Sequence, residues 1–322
     1  MSKLRIALVG LDAFGRRVGK ALRNTLPDIE VVGHAPDSGA LRTAQAEGAI
    51  VRGEWNLARA CEGAGVVLIA APRDELRTTL QVLRRDASAN VLIVSLGRTL
   101  GDALALAQEL LPAGWAFISS HLLLPPTSSN TDSLSLERAV WAAAPYPGTP
   151  SALVEQFVAL AHTLGAHPLF VDPHEHDGMA VALEVLPLAL ASALVLAVSS
   201  DAAWRDRLWM TGETFAQAVQ IVEDNARALD AMLASPQVIA HWLNQVMLSL
   251  MALRDAVTAG DAEATRAWLH RARTQRDSWL AEWARGRAAE IASETPLPRP
   301  SLLSFLVGER LAQRLGDKPP RT

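Results

Sequence analysis

The stretch Leu4–Leu26, LRIALVGLDAFGRRVGKALRNTL, decides how the rest of the chain is read. Leu4–Val9 is an apolar run with β-branched members. Gly10–Gly15 (GLDAFG) is a glycine-punctuated turn, and from Arg16 onward Val18, Leu22 and Leu26 recur at helical spacing. Strand, tight turn and helix in this order open a βαβ unit of the dinucleotide-binding kind. Gly10 lets the chain turn sharply off the strand, and Gly15 lets the helix pack closely on the sheet. The helix N-terminus then offers unpaired N–H groups and a positive dipole end to a pyrophosphate. Leu11, Asp12, Ala13 and Phe14 complete the expected cradle between the two glycines. The pattern G-x-G-x-x-G has glycine where this chain carries Asp12, which brings a side chain and a negative charge to the point where backbone approaches phosphate. Two readings stay open here: a domain that binds its dinucleotide, and the same fold with that binding weakened or lost.

Downstream, strands and helices alternate. The second strand, Ile29–Gly33, runs into His34-Ala35-Pro36-Asp37. An acid usually closes this strand and holds the ribose hydroxyls. Ala35 stands there instead, and Asp37 reads as a turn residue after proline. With His34 and Arg42 nearby, the missing acid favours a 2′-phosphate, hence NADP over NAD. A helix over Ala40–Ala46 and a short strand over Ala49–Val51 follow. Gly65–Ala70 (GVVLIA) is a central strand ended by Ala71-Pro72, and those two residues are expected to wall the nicotinamide pocket, because ligands gather at strand C-termini. Glu75–Leu83 is helical, Asn90–Ser95 is a strand, and Leu96-Gly97-Arg98-Thr99 is a loop on the same edge. Gly101–Leu111 is helical, Trp115–Ser119 is a strand ending in Ser120-His121, and Ala139–Ala144 is strand-like. Ser151–Leu164 is helical and Pro168–Val171 is a last short strand. From His176 the periodicity is helical throughout, over His176–Ser200, Asp201–Leu233, Pro236–Ala259, Asp261–Ala292 and Ser301–Leu315, with Glu294–Pro300 (ETPLPRP) a stiff linker. The expected architecture is α/β: a Rossmann-type doubly wound parallel sheet over residues 1–172, then an all-helical substrate and dimerisation domain over 173–322.

Composition narrows the function classes. The chain has 322 residues, half of them hydrophobic, enough for two domains with cores of their own. A net charge of −4 gives no basic footprint for nucleic acid or an anionic membrane surface. The arginines within Arg266–Trp279 are interleaved with Asp and Trp and read as a solvated helix face. Cys61 is the one cysteine, so neither an intramolecular disulfide nor a thiolate metal cluster is expected. The first residues lack the long apolar core of a signal peptide. Val185–Val198, the longest nearly apolar run, contains Pro187 and is short for a bilayer span, so it reads as a buried helix. A cytoplasmic protein follows, and the long apolar helix faces of the second half point to a homodimer.

At His121 and again at His176 the chain resembles the prephenate/arogenate dehydrogenase family, over residues 4 to 235. GLDAFG, the strand VVLIAAP, the strand ending in Ser-Ser-His121 and the stretch DPHEHDGMAVALEVLP fall in the family's order. The last is the most specific. The family opens its helical domain with His-Asp and carries Ser-His-Leu-Pro within the same helix, and here His176-Asp177 stand at the matching distance from Leu186-Pro187. A proline inside a long apolar helix is costly, which gives that spacing its weight. The resemblance implies an oxidative decarboxylation with NAD or NADP: hydride leaves the ring carbon bearing the hydroxyl, and the ring carboxylate departs as carbon dioxide. His121 would meet the ring hydroxyl.

The departures from the family fall in the substrate pocket. Arg98 stands near the family's serine, Glu184 and Val185 replace its serine and histidine, and Trp209 stands at its substrate arginine, with Arg205 and Arg207 nearby. Leu122 and Pro125 occupy the place of a proline and a glycine. The candidate catalytic residues are therefore His121, Arg98 and Glu184. Each has a plain structural alternative: a capped strand end for His121, a surface arginine for Arg98, and a structural ion pair for Glu184. His176, Asp177 and Glu184 are expected on one helix face. Three functions compete: a dehydrogenase for a prephenate- or arogenate-like acid, a hydroxyacid dehydrogenase or imine reductase acting on another small substrate, and a non-enzymatic paralogue that keeps the fold as a binding or regulatory module.

Overall fold

In the computed structural model the residues described are 5–86, 90–124, 136–137, 139–222 and 226–293, with backbone alone for 286–293. Eight strands form one sheet: β1 Arg5–Val9, β2 Glu30–His34, β3 Arg52–Glu54, β4 Val66–Ile69, β5 Leu92–Leu96, β6 Phe117–Leu123, β7 Val140–Pro145 and β8 His167–Phe170, in the order β3-β2-β1-β4-β5-β6-β7-β8. The reversal of order at β1/β4 is the doubly wound topology, in which ligands bind at the strand C-termini. The strands read as continuous apolar runs because both faces are covered. Ile6, Leu8, Val66, Leu68, Leu92 and Val94 pack on one side, with Val18 and Leu22 of helix α1 (Ala13–Thr25) and Phe157 and Leu160 of α6 (Ser151–Thr163). Ala7, Val9, Val67, Ile69 and Ile93 face the other side, against Leu76 and Leu80 of α4 (Arg73–Asp86) and Leu106 and Ala107 of α5 (Gly101–Leu110).

The turn after β1 is built as the sequence requires. Gly10 has φ +87°, and a Cβ on it would drive into the Ala70 carbonyl. At Gly15 a Cβ would strike the Gly10 carbonyl, so the helix could not start so close to the strand. Asp37, read as a turn residue, caps helix α2 (Ser38–Ala46) by accepting from Gly39 N at 3.1 Å and Ala40 N at 2.8 Å. The strand expected at Ala49–Val51 lies three residues later, as β3. Ala49 and Ile50 are instead core residues, with the Ala49 N–H tied back to the Ala44 carbonyl of α2. A further helix, α3, spans Leu57–Cys61.

One strand pair departs from the all-parallel expectation: β7 runs antiparallel to β6. This extends β6. Its parallel pairing to β5 ends at Ser120, whereas its pairing to β7 continues through His121 and Leu122 to Leu123. His121 is thus inside a strand rather than at its end, yet stands beyond the C-terminal edge of β5.

After β8 the described elements are helical. α7 (Pro173–Ala180) begins three residues before the expected start, with Asp172 as its cap and Pro173 in its first turn. The single helix expected over His176–Ser200 is interrupted by a π-helical turn at Val181–Val185 before α8 (Leu186–Val198). Pro187 is the reason. Its ring lacks an N–H and would clash with the carbonyl four residues back, and the wider turn, in which Leu186 N bonds Val181 O, absorbs both defects. The helix expected over Asp201–Leu233 is in fact α9 (Trp204–Arg207), a 3-10 turn (Leu208–Met210), α10 (Glu213–Val219) and α11 (Ala226–Ala234), broken where Thr211 and Gly212 take extended backbone. α12 (Pro236–Thr258) and α13 (Ala262–Ser293) follow. The change from strands to helices falls near Asp172. By packing, the described residues up to Pro236 form one compact unit and those of Gln237–Pro300 a second. The helix expected at Ser301–Leu315, the linker Glu294–Pro300 and Pro125 lie outside the described residues.

α8 is not the buried helix that its apolarity predicts. Leu186, Leu188 and Ala191 are buried, but Leu196 is 70% exposed, because among the described residues only one side of the helix meets other elements. The continuous run Pro173–Val198 is long and apolar enough to cross a membrane by length and composition. The same run carries His176 and Asp177, both buried against the sheet unit.

Gly10→Ala should lower the unfolding free energy by about 2 kcal/mol or more in urea titrations, through forced φ and overlap with Ala70. Gly178→Ala, in open space within α7, should be neutral or stabilising by up to about 1 kcal/mol. Equal effects at both positions would show that the β1–α1 turn is not under the constraint described.

Candidate active site at the strand ends

The centre of the site is a chain of hydrogen bonds leading from β6 to the start of α5. His121 Nδ1 lies 3.2 Å from His176 Nε2, with the two rings edge to face at 87°. His176 Nδ1 lies 3.0 Å from Asp177 Oδ1. The Asp177 carboxylate accepts the N–H of Leu100 at 2.6 Å and of Gly101 at 2.8 Å, at the N-terminus of α5. A buried carboxylate is tolerated only with its lone pairs occupied, and the α5 dipole adds a favourable field. Burial holds the His121 imidazole down to about 3, and the neighbouring His176, Arg98 and Arg227 push the same way. Asp177 pulls weakly against them. His121 is therefore a neutral imidazole throughout the physiological range. Its strand is fixed from below: Trp141 Nε1 donates to Ser120 Oγ at 2.9 Å, Ser120 Oγ donates to the Ser95 carbonyl at 2.7 Å, and Ser119 Oγ donates to the Leu100 carbonyl at 2.9 Å.

The β1–α1 turn carries a second cluster. Asp12 caps α1 by accepting from Gly15 N at 2.8 Å, and its other oxygen lies 3.2 Å from Arg227 Nη1 of α11. The Arg227 guanidinium also stacks over the Phe14 ring at 4.4 Å and reaches the Leu96 carbonyl at 3.4 Å. Three residues on, Asp230 accepts from Arg73 N, the first N–H of α4, at 2.7 Å. Arg227 and Asp230 thus share one face of α11 and dock it on the sheet edge. Glu75 stands near Asp12 with a buried carboxyl oxygen that has no hydrogen-bond partner among the described residues. Burial, and secondarily Asp12, raises its pKa.

Between the two clusters lies a cleft lined by Ser95, Arg98, Asp102, Arg73, Arg227 and Asp230. Ala71 lines it too, as does the Leu96–Thr99 loop, as expected of the sheet edge. Burial raises the Asp102 carboxyl, against the pull of Arg73. Arg98 acts electrostatically on both His121 and Glu184, so these three candidates are neighbours. Glu184 does not share the buried face of His176 and Asp177. It sits in the π-turn, whose wider spacing swings it outward to an exposed position, although nearby protein still raises its carboxyl.

The expected cofactor residues Gly10, Leu11, Asp12, Ala13, Phe14 and Gly15 form the turn as read. Burial lowers the pKa of His34 at the end of β2, against the opposing pull of its hydrogen bond to the Glu54 carbonyl at 3.0 Å, and so disfavours a positive charge there. Trp209 is 92% exposed and Arg207 pairs with Asp201, so neither enters the cleft. Arg227 and Asp230 were not foreseen. The one signal for Arg227 was Asp12 itself, a carboxylate at a phosphate turn that calls for a counter-charge.

The depressed His121 sets a sign for the pH dependence of stability. Between about 6.5 and 3 the unfolded chain binds a proton at this position and the folded chain does not, so folding weakens as pH falls below 6.5. His34 acts in the same direction. From pH 7 to pH 5, chemical denaturation should show a smaller loss of stability for His121→Gln than for the parent. Parallel curves would mean that His121 is solvated.

Among known proteins, no family model matches the chain. It is 24% identical over 194 residues to the prephenate dehydrogenase of Bacillus subtilis, a match covering 59% of this chain, and the chain spans about half (52%) of that curated relative's length. Among solved structures, the prephenate dehydrogenase of Aquifex aeolicus in complex with hydroxyphenyl propionate and NAD+ superposes with a TM-score of 0.71 at 19% identity, covering 86% of this chain and 99% of that one. The arogenate dehydrogenase of Synechocystis gives 0.61 at 15% identity, covering 86% and 100%. In sequence the chain resembles the prephenate/arogenate dehydrogenase family, and it shares that family's fold.

Proposed function

We propose that this protein is a nicotinamide-dinucleotide-dependent dehydrogenase of the prephenate/arogenate type, acting in the cytoplasm as a homodimer on a small ring-bearing acid. The observation that carries this reading is His121 near the C-terminal edge of the sheet, bonded to the His176–Asp177 pair and within electrostatic reach of Arg98 and Arg227, on the same fold as a dinucleotide-type turn. The turn fits a pyrophosphate in conformation. Asp12 occupies the Gly15 N–H, while the N–H groups of Ala13 and Phe14, at the start of α1, remain to meet phosphate oxygens. Arg227 offsets the Asp12 charge. The bound dinucleotide would supply the hydride acceptor. His121 would hold and accept the proton of the substrate hydroxyl, and Arg98 and Arg227 would bind carboxylate, replacing the cation missing at Trp209. Glu184 would steady Arg98 from the π-turn. Ala71 and Pro72, after β4, would bound the nicotinamide, and His34 would pack beneath the adenosine ribose. NAD and NADP both remain candidates, since the end of β2 offers neither the ribose-binding acid nor a charged histidine. The exposed Leu183, Leu194 and Leu196 support burial against a second copy.

A second reading, the non-enzymatic paralogue, is favoured by one observation: the Asp12–Arg227 pair stands at the phosphate turn itself. Assays with prephenate and arogenate, each with NAD+ and NADP+, alongside fluorescence titration with NADH and NADPH, separate the two. Turnover supports the first reading, and absence of any dinucleotide binding supports the second. For an active enzyme, His121→Ala should lower kcat by about two to four powers of ten with dinucleotide affinity nearly unchanged. An unaltered kcat would remove His121 from the reaction.

The same titration tests the turn. Asp12→Gly removes a carboxylate from the turn and releases the Gly15 N–H, so dinucleotide binding should tighten by on the order of 1 kcal/mol. Arg227→Ala should weaken it. Opposite signs would identify the pair as a support for the phosphate rather than a competitor to it.

A further inference from the structure

The hydrogen-bond chain behind His121 has a direction that can be read from its acceptors. An ionised Asp177 only accepts, so the contact at its Oδ1 places the hydrogen on His176 Nδ1. With the one ring hydrogen of His176 at Nδ1, its Nε2 atom is bare, and the 3.2 Å contact then has His121 donating from Nδ1. In a neutral His121 ring that donates from Nδ1, Nε2 carries the lone pair.

We propose that His176 and Asp177 are positioning residues that make His121 a two-sided proton conduit: Nε2 takes the substrate hydroxyl proton while Nδ1 passes its own proton to His176 Nε2. This rests on the dehydrogenase reading. In the forward step the substrate O–H bond breaks as an N–H bond forms at His121 Nε2. The His121 Nδ1–H bond breaks as one forms at His176 Nε2. The hydride from the hydroxyl-bearing carbon carries two electrons to the nicotinamide, which is reduced as that carbon is oxidised. When the ring carboxylate leaves as carbon dioxide, the electron pair of its C–C bond enters the ring and the oxygen regains its proton along the same path.

The arrangement removes a conflict within the site. His121 is buried, with His176 and Asp177 from α7, Arg98 from the β5–α5 loop and Arg227 from α11 acting on it, and three of these four disfavour an imidazolium there. A base in that position works only if it need not keep the proton. His176 can keep it, because Asp177 sits 3.0 Å from the opposite ring nitrogen. His121 stays neutral while it transfers the proton.

The test uses the full chain and two readouts. Nitrogen-15 NMR of the histidine rings at neutral pH should find His121 protonated at Nδ1 and bare at Nε2. His176→Gln keeps a side-chain oxygen able to accept from Nδ1 but unable to take the proton. It should therefore preserve the His121 tautomer, KM and dinucleotide affinity while lowering kcat about a hundredfold. A His121 carrying its proton on Nε2 in the parent protein overturns the proposal, as does a His176→Gln variant with parental kcat. A parent protein that turns over neither substrate would sink the dehydrogenase reading, whereas the tautomer measurement would still decide the arrangement of the three side chains.

Discussion

The structure depends on where the Asp177 carboxylate goes. It is buried within α7 and takes three donors: two main-chain N–H groups that open α5, and the imidazole of its own neighbour His176. Each donor left unpaired in such a place would cost about 1–3 kcal/mol, so the three contacts stand or fall together. They tie the β5–α5 loop, which carries Arg98, to the first helix after the sheet. They also fix the ring of His176, and through it that of His121. A single charge at a helix N-terminus thus sets the distance between the strand-end loops and the helices that cover them.

A second balance of charge operates at the phosphate turn. Where glycine would leave room and no charge, Asp12 adds a carboxylate, Glu75 stands nearby, and Arg227 of α11 pairs with Asp12. The cost of the carboxylate is offset by a helix cap, a part-buried ion pair and a cation–π contact to Phe14. The same contacts anchor α11, so the dinucleotide turn and the helical cover form one mechanical element. Under the proposed function, a ligand phosphate entering there would meet a cation and an anion already paired with each other.

How much of this was legible in the sequence follows from how local each constraint is. Gly10 and Gly15 were readable because each is demanded by a neighbour within a few residues, and β1, β4 and β5 were readable because a strand covered on both faces leaves an unbroken apolar run. The placement of His121 was nearly right, but its strand runs on past it because β7 pairs antiparallel, a fact set by residues twenty positions away. Pro187 announced a fault in its helix without saying where it would be absorbed. The π-turn at Val181–Val185 is the answer, and it is what moved Glu184 off the face of His176 and Asp177. Arg227 was invisible, since its partner Asp12 is 215 residues distant and the stretch around it reads as one long helix. The exposed side of α8 could not be foreseen either, because apolarity reports that a face needs covering and not which surface covers it.

The charges of the cleft constrain what can enter it. Arg98, Arg227 and Arg73 line one pocket with Asp102 and Asp230, and Asp230 is already engaged by the first N–H of α4. Asp102 is pushed towards its neutral form by burial and by the nearby Asp177 and Asp230. The pocket's arginines stay charged at every accessible pH. The arginines Arg73, Arg98 and Arg227 outnumber the carboxylates Asp102 and Asp230 in that lining, so the pocket suits an anion better than a cation. On the dehydrogenase reading proposed above, the substitutions at Arg98, Glu184 and Trp209 would then describe one change: the cations for substrate carboxylates would come from the β5–α5 loop and from α11.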